Sequence, residues 1–154
     1  MTQDGQIRLL NPSPENIAKA NKNLESMATS YPTQWVPMPQ YDVYSSKRLR
    51  AASKGAFEAL LLGWIGGASS TARLIALVVA GYGFEYFNNV DEENLYYSTK
   101  YSYREVGPGR FDSIGNFMGD YQLSKVERVT KNSNYTGGDF EETIQYSTTL
   151  YPSF

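Results

Sequence analysis

The sequence predicts an α+β fold, in which helices from the first half of the chain cover an antiparallel sheet from the second half. Two observations lead to this class. Apolar residues recur at helical spacing before residue 88, whereas they alternate with polar residues after residue 93. The alternating segments are joined by short runs rich in Gly, Pro and Asn, which favour an antiparallel meander of three or four strands.

An N-terminal helix is expected to begin at Pro14. Ser13 suits the N-cap position, Pro14 suits the first helical position, and Glu15 complements the helix macrodipole. Apolar residues then follow at helical spacing: Ile17, Ala20, Leu24, Met27 and Ala28. We expect Tyr31-Pro32 to end the helix, because a proline disfavours helical backbone in the residue before it.

Residues 31–44 predict an extended, Pro-rich strap, because their three prolines lack backbone donors and favour polyproline-like chain. The strap carries large side chains that are costly to expose: Trp35, Val36, Met38, Tyr41 and Tyr44. We expect Trp35 and Met38 to be buried. The strap either crosses its own domain or docks on a neighbouring subunit, and the sequence leaves both arrangements open.

Residues 47–87 predict a helical hairpin. Gly and Ser/Thr residues at 66–71 interrupt the apolar run, with Gly suited to end one helix and Ser/Thr suited to cap the next. We therefore expect helices at about 47–65 and 71–87, packed on the sheet.

The segment 59–80 also supports an alternative. Its only charged residue is Arg73, and an apolar run of this length could span a bilayer. In the hairpin, Arg73 lies beside the predicted buried stripe and needs a carboxylate partner. Glu58 is the only acidic residue between positions 43 and 84, so we expect a polar Glu58–Arg73 pair, or else a carboxylate from the sheet or a neighbouring subunit.

Residues 94–151 predict the sheet. Leu95 to Arg104 alternate at period two, residues 111–130 supply one long strand or two short ones, and residues 140–150 supply the last strand. The chain is therefore expected to form a single domain over residues 1–154. It consists of an N-terminal helix and extended arm at 1–46, the hairpin at 47–87 and the sheet at 94–151.

Composition excludes several kinds of chemistry. The 154 residues include neither Cys nor His, which removes disulfides, thiolate metal sites, Cys nucleophiles and every imidazole base. No Walker loop and no G-x-S-x-G or S-x-x-K motif is found. We therefore predict that the protein is not an enzyme and that it has no catalytic, cofactor-binding or metal-binding residues. A net charge of −2 and an isoelectric point near 5.2 argue against a nucleic-acid partner.

Tyrosine is the remaining clue, since ten of the 13 Tyr lie after residue 80 and Tyr is enriched at protein interfaces. The interface candidates are Trp35, Met38, Tyr41, Tyr44, Tyr96, Tyr97, Tyr101 and Tyr103. The leading hypothesis is a non-enzymatic structural or assembly subunit, such as that of a virion or appendage, which contacts itself or other protein subunits.

Two alternative functions stay open at this point. One is a membrane-associated protein anchored through residues 59–80 with an exposed C-terminal β-domain, and the other is a Tyr-lined ligand-binding domain. The numbered chain begins without a secretory signal. A chain without Cys suits the cytoplasm, a virion or a processed exported protein, so the localisation is left open.

Overall fold

A computed structural model describes residues 7–27, 29–51, 53–81 and 93–154. These residues form helices and an antiparallel sheet, so the predicted α+β class with an N-terminal helix is confirmed. The helices are α1 (Pro14–Glu25), α2 (Lys54–Ile65) and α3 (Ser69–Gly81), with a 3₁₀ turn at Pro39–Tyr41. The strands are β1 (Val36–Pro37), β2 (Val43–Leu49), β3 (Glu93–Glu105), β4 (Arg110–Phe111), β5 (Phe117–Met118), β6 (Tyr121–Thr130) and β7 (Asp139–Ser147).

The main sheet has the strand order β1-β3-β6-β7, and β2 also pairs with β3. The predicted meander corresponds to β3, β6 and β7. Its strand count was too low, because β1 and β2 pair antiparallel with successive parts of β3 along one edge. The strands β4 and β5 form a separate two-stranded sheet.

The chain groups into two compact units. Unit 1 draws on the spans Met1–Met38, Tyr101–Ser124 and Ile144–Phe154, and unit 2 draws on Pro39–Lys100 and Lys125–Thr143. The strands β3, β6 and β7 contribute residues to both units. The single domain over residues 1–154 stays a prediction.

In unit 1, helix α1 begins as predicted and ends early. The Ser13 hydroxyl accepts a hydrogen bond of 3.2 Å from the amide of Asn16. The helix ends at Glu25, several residues before Tyr31-Pro32, because the Ser26 amide and hydroxyl bond the carbonyls of Lys22 and Asn23 and so satisfy the last turn.

Residues 33–38 of the strap lie extended along β3 within unit 1, whereas Pro39–Tyr41 form the 3₁₀ turn in unit 2. The Thr33 amide donates to the Glu105 carbonyl and the Met38 amide donates to the Tyr101 carbonyl, each at 2.9 Å. Residues 33–38 therefore pack on their own chain. Met38 is buried as expected, whereas the expectation for Trp35 was wrong. Its side chain is 38% exposed and lies against the guanidinium of Arg104, 4.6 Å from the ring centroid.

In unit 2, the predicted hairpin and its break are found, but its start is different. Helix α2 ends at Ile65, Gly66 has a φ of 89°, and α3 begins at Ser69. Residues 47–49 are strand rather than helix, because all of Val43–Leu49 pairs with β3. The helix begins after Ser53, whose hydroxyl caps it by accepting a hydrogen bond of 3.2 Å from the amide of Ala56. The predicted end near residue 87 lies outside the described residues.

The core of unit 2 lies between the hairpin and one face of the sheet. Its buried apolar members are Leu49, Ala51, Phe57, Leu61, Leu74, Ile75, Val78, Leu95 and Val129. Helices α2 and α3 have 12 and 13 residues, and no described helix has the length and apolarity needed to cross a bilayer. Membrane association through residues 59–80 stays a prediction.

Candidate interaction site

The sheet of unit 2 has one face covered by the hairpin and one face turned away from it. Side chains alternate along each strand, so Leu95 and Val129 face the helices while Tyr96 and Arg128 face the other way. By the same alternation Tyr44 on β2 joins Tyr96 on the second face, since Tyr44 pairs with Ser98 of β3. Helices α2 and α3 both pack on the first face.

Three tyrosines form a cluster on this face. The ring of Tyr135 lies edge-on to both Tyr44 and Tyr96, with centroid separations of 5.0 and 5.4 Å and interplanar angles of 75° and 76°. Such T-shaped contacts are the favoured geometry for aromatic rings and hold each ring in a defined orientation. The cluster therefore offers a preordered aromatic surface.

The turn between β6 and β7 places Tyr135 over the sheet. Tyr135 has a φ of 61°, and the turn is closed by hydrogen bonds from Thr130 Oγ1 and Asn132 Nδ2 to the Thr136 carbonyl, at 2.7 and 2.8 Å. Gly138 adopts a φ of 70°, and a Cβ at this position would lie 2.2 Å from the carbonyl oxygen of Val129. Only glycine fits this approach of the turn to the strand.

Two cations border the aromatic rings. Lys100 Nζ lies 5.9 Å from the ring centroid of Tyr44, and the Arg128 guanidinium lies 4.9 Å from that of Phe140. Tyr44 and Phe140 remain 50% and 53% exposed. We call these six residues the aromatic face: Tyr44, Tyr96, Lys100, Arg128, Tyr135 and Phe140. Exposed aromatic area bordered by cations is typical of surfaces that bind other proteins.

On the covered side, Glu127 is the centre of a buried polar network. Its side chain is 0% exposed and accepts hydrogen bonds from the hydroxyls of Ser70 and Thr71, each at 2.5 Å, and of Tyr97 at 2.7 Å. Lys125 Nζ lies 3.4 Å from the same carboxylate. Because Ser70 and Thr71 lie in the first turn of α3, the carboxylate also lies near the positive end of that helix dipole.

The network favours an ionised carboxylate. Burial raises the pKa of the Glu127 carboxyl, but the hydroxyl donors and Lys125 lower the pKa by more, so the net pKa lies below the ordinary 4.5. Ser70 and Lys125 lie 3.4 Å apart, yet each is only 8% exposed and the Ser70 hydroxyl donates to Glu127. These contacts join the first turn of α3 to β6.

The interface candidates do not form one surface. Tyr44 and Tyr96 belong to the aromatic face, whereas Tyr97 faces the hairpin and bonds Glu127. Tyr41 is half-buried in the 3₁₀ turn. In unit 1, Met38 is buried, Trp35 lies on Arg104, the Tyr101 hydroxyl donates to the Phe154 carbonyl, and Tyr103 packs edge-on against Tyr121.

The partner of Arg73 is a carboxylate from the sheet. Arg73 Nε donates to Glu141 Oε1 at 2.6 Å, so the predicted pair with Glu58 is not formed by this guanidinium. Arg73 pairs with Glu141 because α3 brings Arg73 over β7. Glu58 lies on the other helix, α2, where its side chain is exposed. A carboxylate from the sheet is the alternative partner that the sequence predicts for Arg73.

Sequence reasoning missed Glu127, Tyr135 and Phe140 as site residues. A signal for Glu127 was present, since Lys125 and Glu127 occupy the same alternating positions as the apolar Leu123 and Val129. Charges at such positions predict a buried, paired network. Tyr135 gave no such signal, because turn conformation alone brings it over the sheet.

Unit 1 also has a shallow depression of about 440 Å³, lined by Gly119, Asp120, Tyr146, Ser147 and Thr148. It contains one tyrosine, and the Tyr-lined ligand-binding alternative stays a prediction. Within the part of the chain that the structure describes, no three Asp or Glu side chains are grouped so as to hold a metal ion. Comparisons with protein-family models, curated proteins and solved structures give no match to this chain.

Proposed function

We propose that this protein is a non-enzymatic assembly subunit that docks its aromatic face on a second copy of the chain within a larger complex. The observation that carries the proposal is the preordered cluster of Tyr44, Tyr96 and Tyr135 on an exposed sheet face. Rings that are already held by their neighbours lose little conformational freedom when a partner covers them.

The balance of apolar and charged groups supports the same function. Phe140 and Tyr44 each leave about half of their surface in water, and covering them removes apolar area from solvent. Lys100 and Arg128 border the rings and offer donors to a partner's carboxylates or carbonyls. An apolar centre with a polar rim is the usual arrangement of a protein interface.

The face is tested by removing its exposed rings without changing charge. In Tyr44→Ser with Phe140→Ser, we expect the mass of the assemblies that the purified wild type forms to fall, as measured by sedimentation velocity over a concentration series. The matched control is Leu10→Ser with Met27→Ser, which removes two exposed apolar side chains from unit 1. Circular dichroism and thermal unfolding establish that each variant remains folded.

Two results would contradict the proposal. One is a folded Tyr44→Ser, Phe140→Ser variant that assembles like the wild type. The other is a wild type that stays monomeric at every concentration that can be reached.

A further inference from the structure

We propose that copies of this chain join edge to edge, with β2 of one copy pairing antiparallel to β7 of the next. The sheet of unit 2 then continues from copy to copy. This inference rests on the proposed function as an assembly subunit, and it names the partner as a second copy of the chain.

Both edges of the unit 2 sheet are available for pairing. Strand β2 pairs with β3 through seven residue positions on one side, and β7 stands last in the strand order. Among the described residues, no strand pairs with the outer side of β2 or of β7. An edge strand presents a row of backbone donors and acceptors that another extended chain can pair with.

The two edges carry opposite charges. Strand β2 carries Lys47 and Arg48 just before its last residue, Leu49, whereas β7 begins with Asp139 and continues with Glu141 and Glu142. Two copies of β2 would bring cations together, and two copies of β7 would bring carboxylates together. Pairing between unlike edges is therefore favoured, because complementary potentials steer association and like charges oppose the wrong pairing.

These charges also lie at the same end of the sheet. Arg48 pairs with Asn94 at the start of β3. The start of β3 adjoins the final part of β6, where Glu127 bonds Tyr97, and the turn after β6 leads directly into β7 at Asp139. The basic end of β2 and the acidic end of β7 therefore stand at one end, on opposite edges.

Strand direction permits the pairing without turning a copy over. Neighbouring strands of the sheet are antiparallel, so β2 and β7, separated by β3 and β6, run in opposite directions. A second copy moved sideways across the strands places its β2 antiparallel to β7 of the first. In the register that sets Lys47 opposite Asp139 on the hairpin face, Arg48 stands opposite Gly138, and Tyr44 stands opposite Glu142 on the aromatic face.

This contact joins two different surfaces, so it does not close on itself in a pair. Each added copy leaves one basic and one acidic edge free, and the assembly grows as an open ribbon. The right-handed twist of the sheet turns the ribbon into a helix. The aromatic faces of successive copies then lie side by side along one surface.

Charge exchange tests the pairing. One variant carries Lys47→Glu with Arg48→Glu, and the other carries Asp139→Lys with Glu142→Lys. Each alone presents edges of one sign, so we expect its association at low salt to weaken about tenfold or more. An equimolar mixture restores opposite edges, and we expect light scattering to return to the wild-type mass. The control Lys19→Glu with Lys22→Glu makes the same change in net charge on exposed positions of α1 and should assemble normally.

The outcomes separate this inference from the proposed function. The edge pairing is overturned if the wild type assembles but the mixture of folded variants stays dissociated. It is also overturned if either variant alone assembles like the wild type. Neither result contradicts docking through the aromatic face. A monomeric wild type overturns both. If a double variant does not fold, the single variants Lys47→Glu and Asp139→Lys, which exchange the charges of the opposed pair, apply the same mixing test.

Discussion

The hydroxyl of Thr71 donates a 2.5 Å hydrogen bond to the buried carboxylate of Glu127. This contact joins the first turn of α3 to the middle of β6, and Ser70 makes a second such contact to the other carboxylate oxygen. Apolar packing alone is non-directional and tolerates sliding. The paired hydroxyls therefore specify which turn of the helix lies over the strand.

Replacing Glu127 with Leu should strongly destabilise the protein. The change removes the acceptor of three hydroxyl groups and the carboxylate beside the buried Lys125. We expect the free energy of unfolding to fall by about 3–5 kcal/mol, as for other broken buried ion pairs. Urea unfolding measures the loss. Glu142→Leu, at an exposed position, is the control and should change stability by less than about 0.5 kcal/mol. Equal stabilities of the two variants would show that the network is not stabilising.

Stability should fall in acid through Glu127. Because the pKa of its carboxyl is lower in the folded protein than the ordinary 4.5, the folded state favours the ionised form. The resulting stabilisation is present at neutral pH and is lost as the pH falls below about 4.5 toward the folded-state pKa. In Glu127→Gln this part of the pH dependence should vanish, giving a shallower decline of the urea midpoint between about pH 5 and pH 3. An unchanged slope would contradict the assignment.

Gly138→Ala should destabilise the turn that carries Tyr135. The new methyl group meets the Val129 carbonyl at 2.2 Å, and this backbone atom cannot move aside without breaking the strand. We expect a loss above about 2 kcal/mol, since the left-handed conformation alone costs roughly 1–2 kcal/mol. Gly66→Ala is the matched control, because Gly66 also has positive φ but has open space around its Cβ position. Thermal unfolding of both variants measures the two losses of stability. Equal losses would disprove the steric explanation for Gly138.

The Arg73–Glu141 ion pair should contribute little to stability. The Arg73 side chain is 55% exposed, so water and salt screen its attraction to the carboxylate. A double-mutant cycle with Arg73→Ala and Glu141→Ala should give a coupling free energy of about 0–1 kcal/mol that decreases in high salt. The same cycle with Glu58→Ala in place of Glu141→Ala should give no coupling free energy. Coupling to Glu58 as large as that to Glu141 would restore the pair predicted from sequence.

Short sequence patterns were sufficient to predict those helices and strands whose ends are determined by neighbouring residues in the chain. Ser13 and Pro14 mark the start of α1, the glycines after Ile65 mark the break in the hairpin, and period-two alternation marks β3. Each depends on backbone conformation and on neighbours within a few residues. The sequence alone therefore determined the α+β class and the order of the principal elements.

Tertiary structure decided the features that depend on distant partners. Residues 43–49 become a strand because β3 lies ready to pair with them, Arg73 selects Glu141 because β7 lies under α3, and Glu127 is buried because α3 brings two hydroxyls to it. Cross-strand pairing, the buried hydrogen bonds of Glu127 and the exposed Arg73–Glu141 pair join residues up to 68 positions apart in the chain. Such choices follow from which surfaces meet once the chain is packed, and no short segment of sequence contains both partners.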